Sequence, residues 1–403
     1  MLVYRDNQFD ITTQNIYSFI MHLAKDKKMA NCFDFDYNNS ILALSNSLLK
    51  YYGIKPFHPT LKVLDEQLSN QNHQNIVFMI LDGMSLDNIM KHLPKDSFLA
   101  SHIIAPIYSV FPPTTTAATT TFHSGLSPLE SGWIAWTSYY KEYDRVIENF
   151  LNTDYYTGEN LTTPPPCDDL LKFKTIYSHI TEQNPDVEYH KVFPPFDPNG
   201  VKTFAEMCSK VANITKQNSN RKIISAYWPE PDHSMHHFGV MSDEAHHQML
   251  SIEQNLQKMY AEIDDAFIII SADHGLIDAE CVWLNDYPEL CQMLVRPPSL
   301  EARYVTFFIK PEEKSRFSSV FNQTFGGDFK LYTKAEFLAS GLLGKGKPHP
   351  KIDDFIGDFV AISLGTKMLH YDAGYKERKV LVAEHAGISE SEMIVPLIIA
   401  SKD

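Results

Sequence analysis

The sequence predicts an α/β fold: a largely parallel central sheet flanked by helices on both faces, with a smaller α/β cap inserted. Three observations predict it. Short, continuous runs of apolar, often β-branched residues recur along the chain, as in strands buried on both faces of a parallel sheet. Between them lie helix-like segments with apolar residues at three- and four-residue spacing. The chain has 403 residues, 44% of them hydrophobic. That is ample for a large core, built as two or three domain-sized units or as one large domain carrying an insertion.

The runs fall in order. Ile76–Leu81 (IVFMIL) and Ile103–Val110 open the sheet. Asn152–Asn199, rich in Pro, Tyr and Asp, reads as long loops. Val201–Ile214 reads as a helix, Ile223–Trp228 (IISAYW) as a strand, Asp243–Ile263 as a helix and Ala266–Ser271 (AFIIIS) as a strand. Ile277–Lys351 then carries its own strand, Tyr304–Ile309 (YVTFFI), two helices, Pro311–Phe321 and Thr333–Leu343, and the turn GKGKPHPK. We read residues 277–351 as the cap, which leaves 1–276 and 352–403 as the main domain. Phe359–Leu364 and Ile394–Ala400 (IVPLIIA) are the remaining strands.

Bulk properties narrow the function. A net charge of -15 repels nucleic acid and anionic membranes, so a negatively charged substrate needs local positive charge. The five cysteines are Cys32, Cys167, Cys208, Cys281 and Cys291. The count is odd and no CxxC pair occurs, so neither a disulfide framework nor a cysteine zinc site is expected. The N-terminal segment has no basic start followed by an apolar run, and no signal peptide is expected. No stretch of roughly 18 apolar residues occurs, and no transmembrane helix is expected. A cytoplasmic protein without nucleic-acid or membrane partners is the expectation.

In open parallel sheets ligands bind beyond the carboxyl ends of the strands. Asp82-Gly83 follows IVFMIL, and Asp273-His274-Gly275 follows AFIIISA. Asp232 follows IISAYWPEP, with His236 four residues on, and His385 follows KVLVAE. Singly, such an Asp is often a helix cap and such a His a satisfied structural group. Together they put three carboxylates and three imidazoles at one edge of one sheet. That set suits one or two zinc-like ions, where a magnesium site would favour oxygens alone. A second signal is Phe111-Pro112-Pro113-Thr114-Thr115-Thr116, followed by AATTTFHSG. The prolines end the preceding strand. A hydroxyl at the start of the following helix sits beside free N–H groups that suit a phosphate, although capping alone explains such threonines in most proteins.

Asp82-Gly83, FPPTTTAATTTFHSGLSPLESGW (Phe111–Trp133), PDHSMHHFG (Pro231–Gly239), ADHG (Ala272–Gly275) and EHAGISESEMIVPL (Glu384–Leu397) together resemble the alkaline phosphatase superfamily. The resemblance is to its type I phosphodiesterase and nucleotide pyrophosphatase branch. It implies a hydrolase of phosphoric ester bonds that works through two divalent ions, zinc or manganese, on a small phosphate ester such as a nucleotide or nucleotide-sugar. It assigns Asp82, Thr115, Asp273 and His274 to one ion, and Asp232, His236 and His385 to the other. It makes Thr115 the nucleophile and a phospho-threonine the intermediate; Thr114 and Thr116 lie one register to either side. The pattern departs at Ser131, where the branch has His, and near Trp136, where it has a phosphate-binding Asn. A phosphomonoesterase or a phosphonate or sulfate ester hydrolase of the same fold is the alternative. A metal-stabilised binding protein without catalysis is the alternative of another class. His123, His233, His237 and His349 match no family position and are expected at the surface or behind the ligands. Trp133, Trp136, Tyr139 and Tyr140 either line a substrate pocket or pack against the cap.

Overall fold

The computed structural model describes residues 31–402 apart from 70, 162–163, 218 and 376–378. The N-terminal segment read for a signal peptide therefore lies outside the described residues. Asn75–Leu81 (β1), Ile103–Tyr108 (β2), Val187–Val192 (β3), Arg221–Trp228 (β4), Ala266–Ser271 (β5) and Ile394–Lys402 (β6) form a six-stranded sheet in the order β2-β6-β5-β1-β4-β3. Every pairing is parallel except those of β6, which runs against both β2 and β5. β1 and β5 are buried at every residue. A strand covered on both faces has no solvent side to make polar, and so it reads as an unbroken apolar run. β2, at an edge, alternates buried and half-buried positions. Pro396 of β6 pairs with Pro106 of β2, and β6 meets β5 only from Ile398 onward, past a register shift. The prolines therefore face each other where β6 has a single neighbour, and no ladder bond to β5 is lost.

The helices that matter for the site are Ile41–Tyr51 (α1), Thr115–Ser124 (α2), Phe204–Thr215 (α3), Asp232–Phe238 (α4) and Asp243–Glu262 (α5). Both long helices expected from periodicity are present. The Thr203 and Ser242 side chains cap α3 and α5 by accepting from the Glu206 and Ala245 amides. Met249, Ile252, Leu256 and Met259 form the buried stripe of α5. α2 is buried at all but one residue, with α1 packed against it.

Two expectations are corrected here. Residues 152–199 are not all loop: they hold the helix Ile176–Gln183 and the edge strand β3. β3 (VEYHKV) is fully buried only at its two valines, so its composition hid it. Phe359–Ser363 does not join the main sheet. It is an inner strand of a second, antiparallel sheet, ordered Ser299–Leu300, Tyr304–Phe307, Phe359–Ser363, Phe329–Thr333. This sheet thus runs past the boundary expected at residue 351. Phe317, Phe321 and Phe325 of the helix Lys314–Phe325 pack on it against Phe307, Phe329 and Phe359. No helix among the described residues is long and apolar enough to cross a membrane.

Candidate metal centre

The site is built where β1, β4 and β5 end. Asp82 follows β1, and its amide continues the ladder by donating to the Trp228 carbonyl at 2.9 Å. Gly83 has φ +70°, and a Cβ there would lie 2.8 Å from Asp232 Cβ. Only glycine lets the two carboxylate-bearing turns close on each other, and the Asp232 amide donates to the Asp82 carbonyl at 3.1 Å. Gly275 is needed in the same way, since a Cβ would meet the Ser391 carbonyl oxygen at 2.1 Å. Asp273 Oδ1 accepts from the amides of Gly83 (3.2 Å) and His274 (3.0 Å), which leaves Oδ2 for the site.

The imidazoles aim inward. His274 Nε2 lies 3.1 Å from Thr115 Oγ1, 3.4 Å from Asp82 Oδ1 and 3.5 Å from Asp273 Oδ2. His236, one turn into α4, holds its Nδ1 2.7 Å from the Ala383 carbonyl and its Nε2 3.3 Å from Asp232 Oδ1. A ring nitrogen donating to a carbonyl leaves the other as a lone-pair ligand, as metal-binding histidines commonly do. The His385 ring centre is 4.0 Å from that of His274 and 5.1 Å from that of His236. Three ligand groups result, each with its donor atoms within 4.8 Å of one another: Asp82, Asp273 and His274; Asp232, His274 and His385; His236, Glu384 and His385. All six expected imidazoles and carboxylates are thus brought together. His385 does not extend a strand of the main sheet, as the sequence suggested. It follows a two-residue strand, Ala383–Glu384, paired with Ile277–Asp278.

The threonines separate by direction. The Thr115 hydroxyl faces His274, the Thr114 hydroxyl donates to Glu301 Oε1 at 2.7 Å, and the Thr116 hydroxyl is buried without a partner. Thr115 is the first residue of α2 and Thr114 makes no capping bond, so the first-turn amides stay open to a ligand.

The electrostatics fit cations. Burial, then Asp273 and Asp232, push the Asp82 carboxyl well above the usual range, and burial also raises Asp273 against the pull of His274. Burial acts to raise Asp232 too, but His236, then His274 and His385, hold it below the usual range. His236 rises to about 10, burial being outweighed by Asp232. Burial, then His274 and His236, press His385 well below its ordinary value. Asp82 Oδ1, Asp232 Oδ1, Asp273 Oδ2 and His385 Nδ1 are buried and make no hydrogen bond. Buried ligand-type atoms left without partners are costly unless something binds them. A divalent ion would satisfy them and neutralise the crowded carboxylates together.

Three residues here escaped the sequence reading. Tyr227 donates its hydroxyl to Asp82 Oδ2. Glu384 stands beside His385 as an acid next to a candidate ligand, a signal that the sequence carried. Glu301 lies in the turn between Ser299–Leu300 and Tyr304–Phe307 of the second sheet, accepts from Thr114 and from the Trp136 amide at 2.5 Å, and is raised to about 8 by burial; nothing in the sequence marked it. Of the aromatics, Trp133, Tyr139 and Tyr140 are buried, and Trp136 alone is half-buried. His233 and His237 pair with each other, His123 faces Tyr177, and His349 Nδ1 accepts from the Lys351 amide.

A mostly parallel sheet with these groups past its strand ends defines an alkaline-phosphatase-like protein. The chain belongs to the type I phosphodiesterase / nucleotide pyrophosphatase family, whose sequence model matches residues 76–385; this is a family of phosphoric-ester hydrolases. The fold is similar to that of murine ectonucleotide pyrophosphatase / phosphodiesterase 5, with 15% identity and a TM-score of 0.59 over 81% of this chain and 88% of that one. An inactive form of the murine protein in complex with AMP is similar at 15% identity and a TM-score of 0.57, over 80% of this chain and 87% of that one. The human counterpart is similar at 16% identity and a TM-score of 0.54, with the same 80% and 87% covered. No curated protein matches the chain.

Proposed function

We propose that the chain hydrolyses the phosphodiester or pyrophosphate bond of a nucleotide-like small molecule, with Thr115 as nucleophile and two divalent ions, zinc or manganese, as cofactors. One observation carries this reading: six ligand-type side chains converge where the Thr115 hydroxyl lies 3.1 Å from His274 Nε2. Asp82, Thr115, Asp273 and His274 would hold one ion, and Asp232, His236 and His385 the other. Ions held there would supply Lewis-acid polarisation and a lowered hydroxyl pKa. The chain's own residues do the rest. α2 presents Thr115 at its amino end, where open amides and the helix dipole favour a bound phosphate. The Thr115 oxygen bonds to phosphorus as the ester oxygen leaves, giving a phospho-threonine. Water then displaces the threonine oxygen and releases the phosphorylated product. The AMP complex of the murine protein supports a nucleotide-type substrate.

The test is a panel of bis-p-nitrophenyl phosphate, p-nitrophenyl phosphate and p-nitrophenyl sulfate, run on metal-loaded wild type and Thr115→Ala. Preferred turnover of the diester, lost in the variant, is expected. Equal turnover by both proteins overturns the nucleophile. Preference for the monoester or the sulfate moves the function to that neighbouring hydrolase class. A loaded protein inert to all three is a binding protein.

A further inference from the structure

The short ladder that delivers His385 also delivers a carboxylate. Ala383 and Glu384 pair with Asp278 and Ile277, and the Ala383 carbonyl holds His236 Nδ1 at 2.7 Å. Helix α4 and this ladder are therefore fixed to each other through the back of a ligand imidazole. Glu384 sits at the junction, with an oxygen within 4.8 Å of ligand nitrogens of both His236 and His385. It forms no ion pair with a Lys or Arg among the described residues, and it is half-buried. Asp232 Oδ1 approaches the same imidazole, 3.3 Å from His236 Nε2.

We propose that Glu384 is a further protein ligand of the ion held by Asp232, His236 and His385, which makes that site a set of two nitrogens and two carboxylates. This rests on the two-ion reading above and adds to it a preference for one kind of ion. Catalytic zinc sites keep three protein ligands and one open position of a tetrahedron. A fourth ligand fills that tetrahedron and leaves zinc no place for a substrate oxygen. An ion that takes five or six ligands and favours oxygen, as manganese does, keeps a position open with all four bound. Zinc still binds more tightly in absolute terms, so the quantity that reports Glu384 is the ratio of manganese to zinc affinity.

The experiment titrates Zn²⁺ and Mn²⁺ separately into the metal-free full chain, as wild type, Glu384→Gln and Glu384→Asp. Bound metal is counted by elemental analysis, and the Mn²⁺ environment is followed by electron paramagnetic resonance. The Gln variant is close to isosteric and the Asp variant keeps the charge one methylene short, so a folding defect in one does not remove the test. Wild type should bind two ions. In Glu384→Gln, Mn²⁺ affinity at one site should fall by about tenfold or more, zinc affinity should fall less, and the Mn²⁺ spectrum should change. Glu384→Asp should lie between. Two ions bound with unchanged affinities in both variants would overturn this inference alone. A wild type that binds neither metal overturns it together with the two-ion reading.

Discussion

Thr115 stands out among three adjacent threonines by direction, not chemistry. The turn aims its hydroxyl at His274 Nε2, 3.1 Å away, while Glu301 takes that of Thr114. Thr115→Ala removes one of the four side chains that would hold its ion, so metal content should stay near two ions per chain by elemental analysis. Turnover of the diester should fall by roughly a thousandfold or more, and Thr115→Ser should restore part of it. Turnover within a few fold of wild type in the alanine variant would displace Thr115 from the chemistry. Tyr227 acts one step further back. Its hydroxyl occupies Asp82 Oδ2 and so turns Oδ1 inward. Tyr227→Phe keeps the ring and frees that oxygen, and metal affinity measured by calorimetry should weaken by about tenfold. Unchanged affinity would make the contact purely structural.

At the scale of elements, two contacts brace the segments that carry the candidate site. Helix α2 carries His123 near its other end, facing Tyr177 Oη at 3.3 Å. Burial, then Lys191, lower its pKa from 6.5 to about 4. An imidazole depressed in this way contributes stability that is complete above its unfolded value and is lost as pH falls towards the folded one. The window is therefore pH 6.5 down to 4, and the loss at its end is at most about 3 kcal/mol, less what the ring's remaining solvent contact returns. His123→Gln cannot take up that proton, so its urea unfolding curves at pH 4 and 7 should differ by correspondingly less than those of wild type. An equal acid loss in both would exclude His123 as the cause. The second is the buried Arg303–Glu392 pair. Glu392 also accepts from the Gly387 and Ser389 amides, and its carbonyl accepts from Gly275. One residue thus ties the turn after His274 to the turn after His385. Glu392→Ala leaves Arg303 buried and unpaired, which should cost about 3–5 kcal/mol in denaturant unfolding. A loss under 1 kcal/mol would mean that water replaces the carboxylate.

For the molecule as a whole, what the sequence revealed was what burial writes into it. β1 and β5 were legible because both faces are covered, and the candidate ligands Asp82 and Asp273–His274 because they follow those strands. β3 was hidden because an edge strand needs little apolar surface. Phe359–Ser363 was legible as a strand but not as a member of the second sheet, since pairing partners leave no local mark. Glu301 reaches the site across the fold, through a contact between residues 187 positions apart, and no local pattern encodes that. The same concentration of buried acid sets the stability of the molecule. Asp82 and Asp273 are both raised above the usual carboxylate range by burial, so without cations the core carries repulsion or unwanted protons. Ions at about a hundred times their dissociation constants should add roughly 2.7 kcal/mol per site, seen as a melting temperature several degrees higher and reversed by a chelator. Asp273→Asn separates this from ordinary destabilisation. Its Oδ1 can still accept from the Gly83 and His274 amides, while the charge facing Asp82 is gone. Metal-free, the variant should melt at or above wild type; with metal, it should melt below wild type because most of the gain is lost. A variant equally destabilised with and without metal would show that Asp273 serves the fold and not the ions.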